Sequence, residues 1–171
     1  MSRNQPNPNP KLLSRKELAE VRRHMAADGR RLVLTNGCFD LLHVGHVRYL
    51  GAARDLGDAL AVAVNSDAST RRLKGPGRPI TDQEDRAEVL AALEAVDFVT
   101  IFDEDTAAEL VSEVRPDIYV KGGDYAADPG DPRFPPEGRI VAGYGGEVRT
   151  IEFIPGRSTT SLIERMERTE R

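Results

Sequence analysis

The chain has 171 residues, 39% hydrophobic and 30% charged, enough for one domain burying about 70% of its unfolded surface and too few for two independent ones. Its net charge of −4 supplies no basic field for nucleic acid, and no apolar run approaches the roughly 20 residues that cross a bilayer. A single cysteine, Cys38, excludes an internal disulfide and fits a reducing cytoplasm.

Residues 1–13 open with prolines alternating with polar residues from Pro6 to Pro10 and lack the apolar core of a signal peptide. They read as an extended or disordered lead-in, with the folded domain over residues 14–171. Ser14 and Glu17 form a capping-box pattern, and Leu18, Val21 and Met25 repeat at helical spacing as far as Gly29. A first strand is predicted over residues 31–35. A helix opening near Gly45 follows, with Val47, Leu50 and Ala53 on its buried side. The second strand, residues 59–64, is wholly apolar, as a parallel strand covered on both faces requires. It ends in Asn65-Ser66-Asp67.

Lys74-Gly75-Pro76-Gly77-Arg78-Pro79 reads as a loop, and Thr81 with Glu84 as a second capping box before a helix carrying Val89, Leu90 and Leu93. A strand over 97–102, a helix over 106–114 and a strand at 118–120 come next. The last of these runs into Lys121-Gly122-Gly123-Asp124-Tyr125. Residues 126–138 read as a loop, followed by a short helix near Ile140, a strand over 147–153 and a final helix from about Thr160. Five strand–helix alternations with short connections predict an α/β fold: one Rossmann-like, doubly wound parallel sheet of five strands with helices on both faces. In such sheets ligands bind beyond the carboxyl ends of the strands, and the polar, glycine-rich clusters fall there.

The chemistry concentrates in Asn36-Gly37-Cys38-Phe39-Asp40-Leu41-Leu42-His43-Val44-Gly45-His46. Two of the three histidines of the chain stand here, after a strand and at a helix start. A lone histidine is commonly a solvated or carbonyl-bonded residue, and His24 on the first helix reads that way. Two imidazoles beside a helix N-terminus suit phosphates undergoing transfer, because nucleotidyl transfer between anions depends on positioning and electrostatic stabilisation. A zinc site fails on ligand count, since only Cys38 and Asp40 accompany His43 and His46; no metal ligands are assigned. Lys74, Arg78 and Arg86 are candidate phosphate cations. Lys121 is a further one, closing an apolar strand before two glycines where backbone can approach a ligand. Gly75-Pro76-Gly77 is no P-loop, lacking a following Gly-Lys-Ser/Thr. Ser158-Thr159-Thr160 either cap the last helix or bind phosphates.

These segments resemble the nucleotidyltransferase superfamily that shares the His-x-Gly-His signature. Within it the likeness is to the adenylyltransferase half of the bacterial bifunctional heptose kinase/adenylyltransferases. It rests on Asn36 to Asp40, His43 to His46, Asn65-Ser66-Asp67, Leu73-Lys74-Gly75 with Arg78-Pro79, Glu84-Asp85-Arg86, Val120 to Tyr125 and Ser158 to Thr160. The resemblance implies that ATP and D-glycero-D-manno-heptose 1-phosphate, with Mg²⁺, give ADP-heptose and pyrophosphate. It implies catalytic roles for His43, His46, Lys74 and Arg86. Nucleotide contacts would come from Asn36, Gly37, Cys38, Phe39, Asp40, Gly45, Lys121, Gly122, Gly123, Asp124, Ser158, Thr159 and Thr160. Asn65, Asp67, Arg78 and Tyr125 would meet the sugar phosphate. A cytoplasmic homodimer, supplied by a separate sugar kinase because no kinase half is present, completes the expectation. The Ser-Thr-Thr triplet is shared with glycerol-3-phosphate cytidylyltransferases, the alternative reading, and the proline-rich stretch 127–136 looks like a local insertion without a role. Two further alternatives are a nucleotide-binding regulatory domain without turnover and a fragment of a class I aminoacyl-tRNA synthetase. The first has no need of the histidine pair with Lys121 and Arg86; the second is opposed by the short, acidic chain.

Overall fold

The computed structural model describes residues 9–123 and 125–152, together with Leu162, Ile163, Met166 and Arg168, which carry helical backbone. The chain runs α1 (Arg15–Ala27), β1 (Leu32–Gly37), α2 (Val44–Arg54), β2 (Ala59–Asn65), α3 (Asp67–Lys74), α4 (Gln83–Ala91), β3 (Phe98–Phe102), α5 (Ala108–Val114), β4 (Ile118–Gly122), α6 (Pro136–Gly143) and β5 (Glu147–Ile151). The five strands form one sheet in the order β3-β2-β1-β4-β5, and every pairing is parallel. The α/β, doubly wound expectation holds.

The two faces of the sheet follow from strand alternation. On β2, Leu60, Val62 and Val64 point to one face with Val33 and lie under α2 and α4. Ala59, Ala61 and Ala63 point to the other, with Leu32 and Leu34, under α1, α5 and α6. A period of two along each strand therefore divides the apolar residues into two cores.

Several boundaries and buried faces differ from expectation. β1 continues to Gly37, because Asn36 and Gly37 still pair with Ala63 and Val64 of β2. On α2 the buried positions are Gly45, Tyr49, Leu50 and Ala53, whereas Val47 is exposed, so the apolar stripe is set by Tyr49. Val89 on α4 is likewise exposed, with Arg86, Ala87, Leu90 and Ala91 inward. The Thr81–Glu84 capping box does not form: α4 starts from Asp82 without a side-chain cap, and the Thr81 amide goes to Asp40 instead. Asp67–Lys74 form α3, which takes Lys74 out of the expected loop, with Ser66 Oγ accepting the Ser69 amide at 3.0 Å. The helix near Ile140 begins earlier, at Pro136. β5 is described to Ile151, and the helix expected from Thr160 lies largely outside the described residues.

The lead-in is only partly described, and its last residues are docked. Leu13 donates its amide to Val99 O at 2.9 Å, and Val99 donates back to Lys11 O at 2.8 Å. Leu12 thus adds one parallel bridge to the outer edge of β3 and covers an otherwise open strand edge. The α1 capping box is present as expected, with Ser14 and Glu17 bonded reciprocally.

Strands β1, β2 and β3 are laid outward in sequence, and the chain then crosses back to place β4 on the other side of β1. The carboxyl ends of β1 and β4 flank that reversal, the position where open α/β sheets bind ligands.

Candidate functional site

A cleft of about 580 Å³ lies above this reversal, a volume suited to a small-molecule ligand. Asn36, Gly37, Cys38, Phe39 and Asp40 line it from the end of β1, and Lys121, Gly122 and Tyr125 from the end of β4. Asn65, Lys74 and Arg78 come from the β2 side, and His46 from α2. Segments far apart in sequence therefore converge on one edge, as their clustering predicts. A more open depression of about 840 Å³ lies beside Arg15, Arg72 and Glu109. Its two arginines are committed to ion pairs with Glu104, Glu113 and Asp105, so it offers no comparable phosphate seat.

The histidine spacing is a capping box built from imidazoles. His43 is the N-cap of α2, and its Nδ1 accepts the Gly45 amide at 3.1 Å. Three residues on, the His46 Nδ1 accepts the His43 amide at 3.4 Å. A nitrogen that accepts carries no proton, so the neutral rings bear theirs on Nε2. The two rings lie 4.0 Å apart, and Phe39 sets its ring edge-on to His46 at 5.5 Å. His46 is on the cleft wall, with His43 stacked against it. Gly45 is buried, and its amide is donated to the His43 ring. Phe39 holds a left-handed backbone with φ of 48°, an uncommon state for a non-glycine residue and one that fits a functional turn.

Burial, and then the neighbouring His43 ring, lower the His46 pKa to about 4. At neutral pH the ring is an uncharged donor. Unfolded histidine takes its proton near pH 6.5, while the folded ring resists until about 4, so acid favours the unfolded chain between those values. The protein is expected to lose stability as pH falls through that window. Urea unfolding of His46→Asn from pH 7 to 4 is expected to show a shallower decline than the wild type; equal slopes would place the loss elsewhere.

Asp40 is almost wholly buried and takes the amides of Ile80 at 2.8 Å and Thr81 at 3.0 Å, plus Nε of Arg78. Burial pushes its pKa upward, but the Thr81 and Ile80 amides together with Arg78 outweigh that and hold it below the usual carboxylate range. Its carboxylate thus clamps the 78–81 loop onto the β1–α2 turn at the edge of the cleft. Arg78 lies on the cleft wall, held from behind by Asp40.

Arg86 stands furthest from its expected place. It is 1% exposed, and its guanidinium donates to the carbonyls of Cys38, Asn65 and Thr81 and to Asp67 Oδ1. It is not on the cleft wall; it knits the ends of β1 and β2 to α4. In this structure it holds those segments together from behind the cleft, away from the wall where a phosphate contact was expected. Asp67 stands with it: its carboxylate holds Arg86 and its backbone amide donates to Gln83 Oε1. Asn65 lines the cleft, with its amide group bonded to Ser69 Oγ at 2.9 Å.

On the β4 side, Asn36 Oδ1 accepts from Tyr119 OH at 2.6 Å and from Lys121 Nζ at 3.3 Å. With its oxygen committed twice, the Asn36 amide nitrogen is the end left to donate. Lys121 also sits 4.7 Å from the Tyr125 ring centroid. Burial lowers the Lys121 pKa, and the charges of Glu137 and Cys38 work against that. Gly123 has φ of 70°, a left-handed turn that a side chain would strain. Lys74 lines the cleft and forms no ion pair among the described residues. Asp124, Ser158, Thr159 and Thr160 lie outside the described residues.

Sequence reasoning missed Asp105, Thr106, Pro136 and Glu137, which also line the cleft. The first two follow the carboxyl end of β3, where the sheet rule already pointed. Glu137 carried no signal, because it stands in the segment read as a loop. That segment is packed: Phe134 is buried, and a Cβ on Gly138 would meet its ring at 2.7 Å.

Comparisons with known proteins agree with this geometry. The cytidylyltransferase-like family profile matches residues 34–165. The bifunctional protein HldE of Trichlorobacter lovleyi is 49% identical over 160 residues, which cover 91% of this chain and 31% of that protein. Its counterpart in Geobacter sulfurreducens is 54% identical over 140 residues, or 82% of this chain and 28% of that one. The chain spans about a third of the length of these curated relatives. The solved structure of a lipopolysaccharide core biosynthesis protein from Thermoplasma volcanium superposes with a TM-score of 0.58 at 31% identity, covering 74% of this chain and 98% of that one. The parallel sheet, the imidazole cap at its reversal point and these matches together place the chain in the cytidylyltransferase-like family of nucleotidyltransferases.

Proposed function

We propose that the chain transfers AMP from ATP to D-glycero-D-manno-heptose 1-phosphate, forming ADP-heptose and pyrophosphate. The observation that carries this reading is the reciprocal imidazole cap, which fixes His46 as a neutral Nε2 donor on the wall of the cleft. A phosphate oxygen of the sugar attacks the α-phosphorus, a new P–O bond forms, and the bond to pyrophosphate breaks. Charge moves toward the leaving diphosphate during that step, and rigid donors aimed at it lower the barrier without reorganising. His46 donates there, with His43 holding it in place, while Lys74, Arg78 and Lys121 offset the repulsion between the anions. Asn36, Gly37 and Phe39 border the nucleotide.

Mg²⁺ enters this reading as the counter-ion of the triphosphate. Among the described residues no group of three or more His, Cys, Asp or Glu stands together to hold a metal, and no step is routed through one. The similarity to the HldE proteins supports the heptose and adenine choices. The same reading includes a cytoplasmic homodimer fed by a sugar kinase activity. No helix among the described residues is long and apolar enough to cross a membrane.

Pyrophosphate release with ATP, CTP, GTP and UTP against heptose 1-phosphates and glycerol 3-phosphate tests the proposal. The expected maximum is ATP with the manno-heptose 1-phosphate. A maximum for CTP with glycerol 3-phosphate would overturn it in favour of a polyol-phosphate cytidylyltransferase.

A further inference from the structure

Among the described residues, Glu137 is the one acid on the cleft wall that is both buried and only half used. It is 4% exposed, and its Oε1 accepts the Ala107 amide at 3.2 Å. Its other oxygen makes no hydrogen bond or ion pair with a described residue, and the side chain lines the cleft beside Thr106 and Lys121. A carboxylate in a phosphate cleft repels phosphate, so it belongs where an uncharged donor rests. Sugar hydroxyls are such donors, and an ionised carboxylate can only accept.

His46 and Glu137 reach the cleft from helices on opposite faces of the sheet, His46 from α2 and Glu137 from α6. The segment before Glu137 holds it stiffly. Pro135 and Pro136 enter the helix, Phe134 is buried against Gly138, and the Ala107 amide anchors the carboxylate. Such rigidity suits directional recognition, which depends on a locked acceptor. It also gives the proline-rich stretch a purpose: it delivers Glu137 to the wall.

We propose that Glu137 reads hydroxyl groups of the bound substrates, accepting from a sugar hydroxyl on the α6 side of the cleft. This rests on the transfer reading above. Two substrate moieties carry such hydroxyls, the acceptor sugar and the ribose of the nucleotide, and the experiment separates them. A site built to accept from a hydroxyl discriminates against the analogue lacking it, because the buried acceptor is then left unpaired.

The test compares the full chain with Glu137→Gln, whose amide oxygen can still take the Ala107 amide. Melting temperature, KM for each substrate, and calorimetric binding of ATP and 2′-deoxy-ATP are measured, with a deoxysugar 1-phosphate as the second analogue. The expected result is an unchanged melting temperature and a KM raised about 10-fold or more for one substrate. Discrimination against the matching deoxy analogue is expected to collapse: in the sugar arm if Glu137 reads the acceptor, in the ATP arm if it reads ribose. Unchanged KM values with intact discrimination in both arms would overturn the proposal, as would a wild type that accepts both deoxy analogues equally well. If Glu137→Gln does not fold, Glu137→Asp, which withdraws the carboxylate by one methylene, is read in the same assays. A wild type inert toward every substrate pair removes the transfer reading, whereas the calorimetric comparison still decides the role of Glu137.

Discussion

Replacing His46 with alanine is expected to lower kcat by at least about 100-fold, the range seen when one preorganised donor to a developing anion is removed. The alanine variant loses two things at once: the Nε2 donor in the cleft and the Nδ1 acceptor that caps the His43 amide. His46→Asn separates them, because an asparagine oxygen lies close to where the imidazole Nδ1 stood and can keep the cap. Its melting temperature is expected to remain near wild type while its kcat falls as far as that of the alanine variant. Near-normal turnover in the asparagine variant would remove the imidazole from the chemistry and leave it a helix cap alone. Steady-state pyrophosphate release and thermal melting on the same preparations decide the matter.

Arg86→Met is expected to cost roughly 3–5 kcal/mol of stability, the usual penalty for removing one partner of a buried charged network. For a domain whose total stability is about 5–15 kcal/mol, that is a large fraction. The loss would leave the carbonyls of Cys38, Asn65 and Thr81 and the carboxylate of Asp67 without their shared donor. Methionine fills much of the volume but donates nothing. Arg86→Lys is expected to recover only part, because one ammonium cannot span four acceptors lying in different directions. Urea unfolding at neutral pH measures the effect. If Arg86 instead met phosphate directly, stability would hold and the KM for nucleotide would rise.

These two outcomes differ in what the amino-acid order could foretell. The histidine motif was legible because its partners are local: His43, Gly45 and His46 bond within one helical turn, so spacing alone carries the geometry. The Ser14–Glu17 cap was legible for the same reason. The parallel sheet was legible from the uninterrupted apolar run of β2 and its regular alternation with helices. Thr81 and Glu84 show the limit of local pattern. Their spacing suits a cap, but Asp40, some forty residues earlier in the chain, takes the Thr81 amide first. Val47 and Val89 show another: an apolar residue beside a stripe is not in it, and only packing against the sheet fixes where the stripe runs.

Arg86 and Glu137 were illegible in their roles because every partner that defines them is distant in sequence. Arg86 reads as a candidate phosphate cation until β1 and β2 bring the Cys38 and Asn65 carbonyls around it. Glu137 reads as loop until α5 supplies the Ala107 amide. Composition, periodicity and one local motif were therefore sufficient for the fold class and for the edge of the sheet where the cleft opens. Which cations face that cleft, which are held behind it, and which acid joins them was decided only when the strands assembled. A charged group's role is set by the groups that surround it, and those arrive through contacts that no local pattern records.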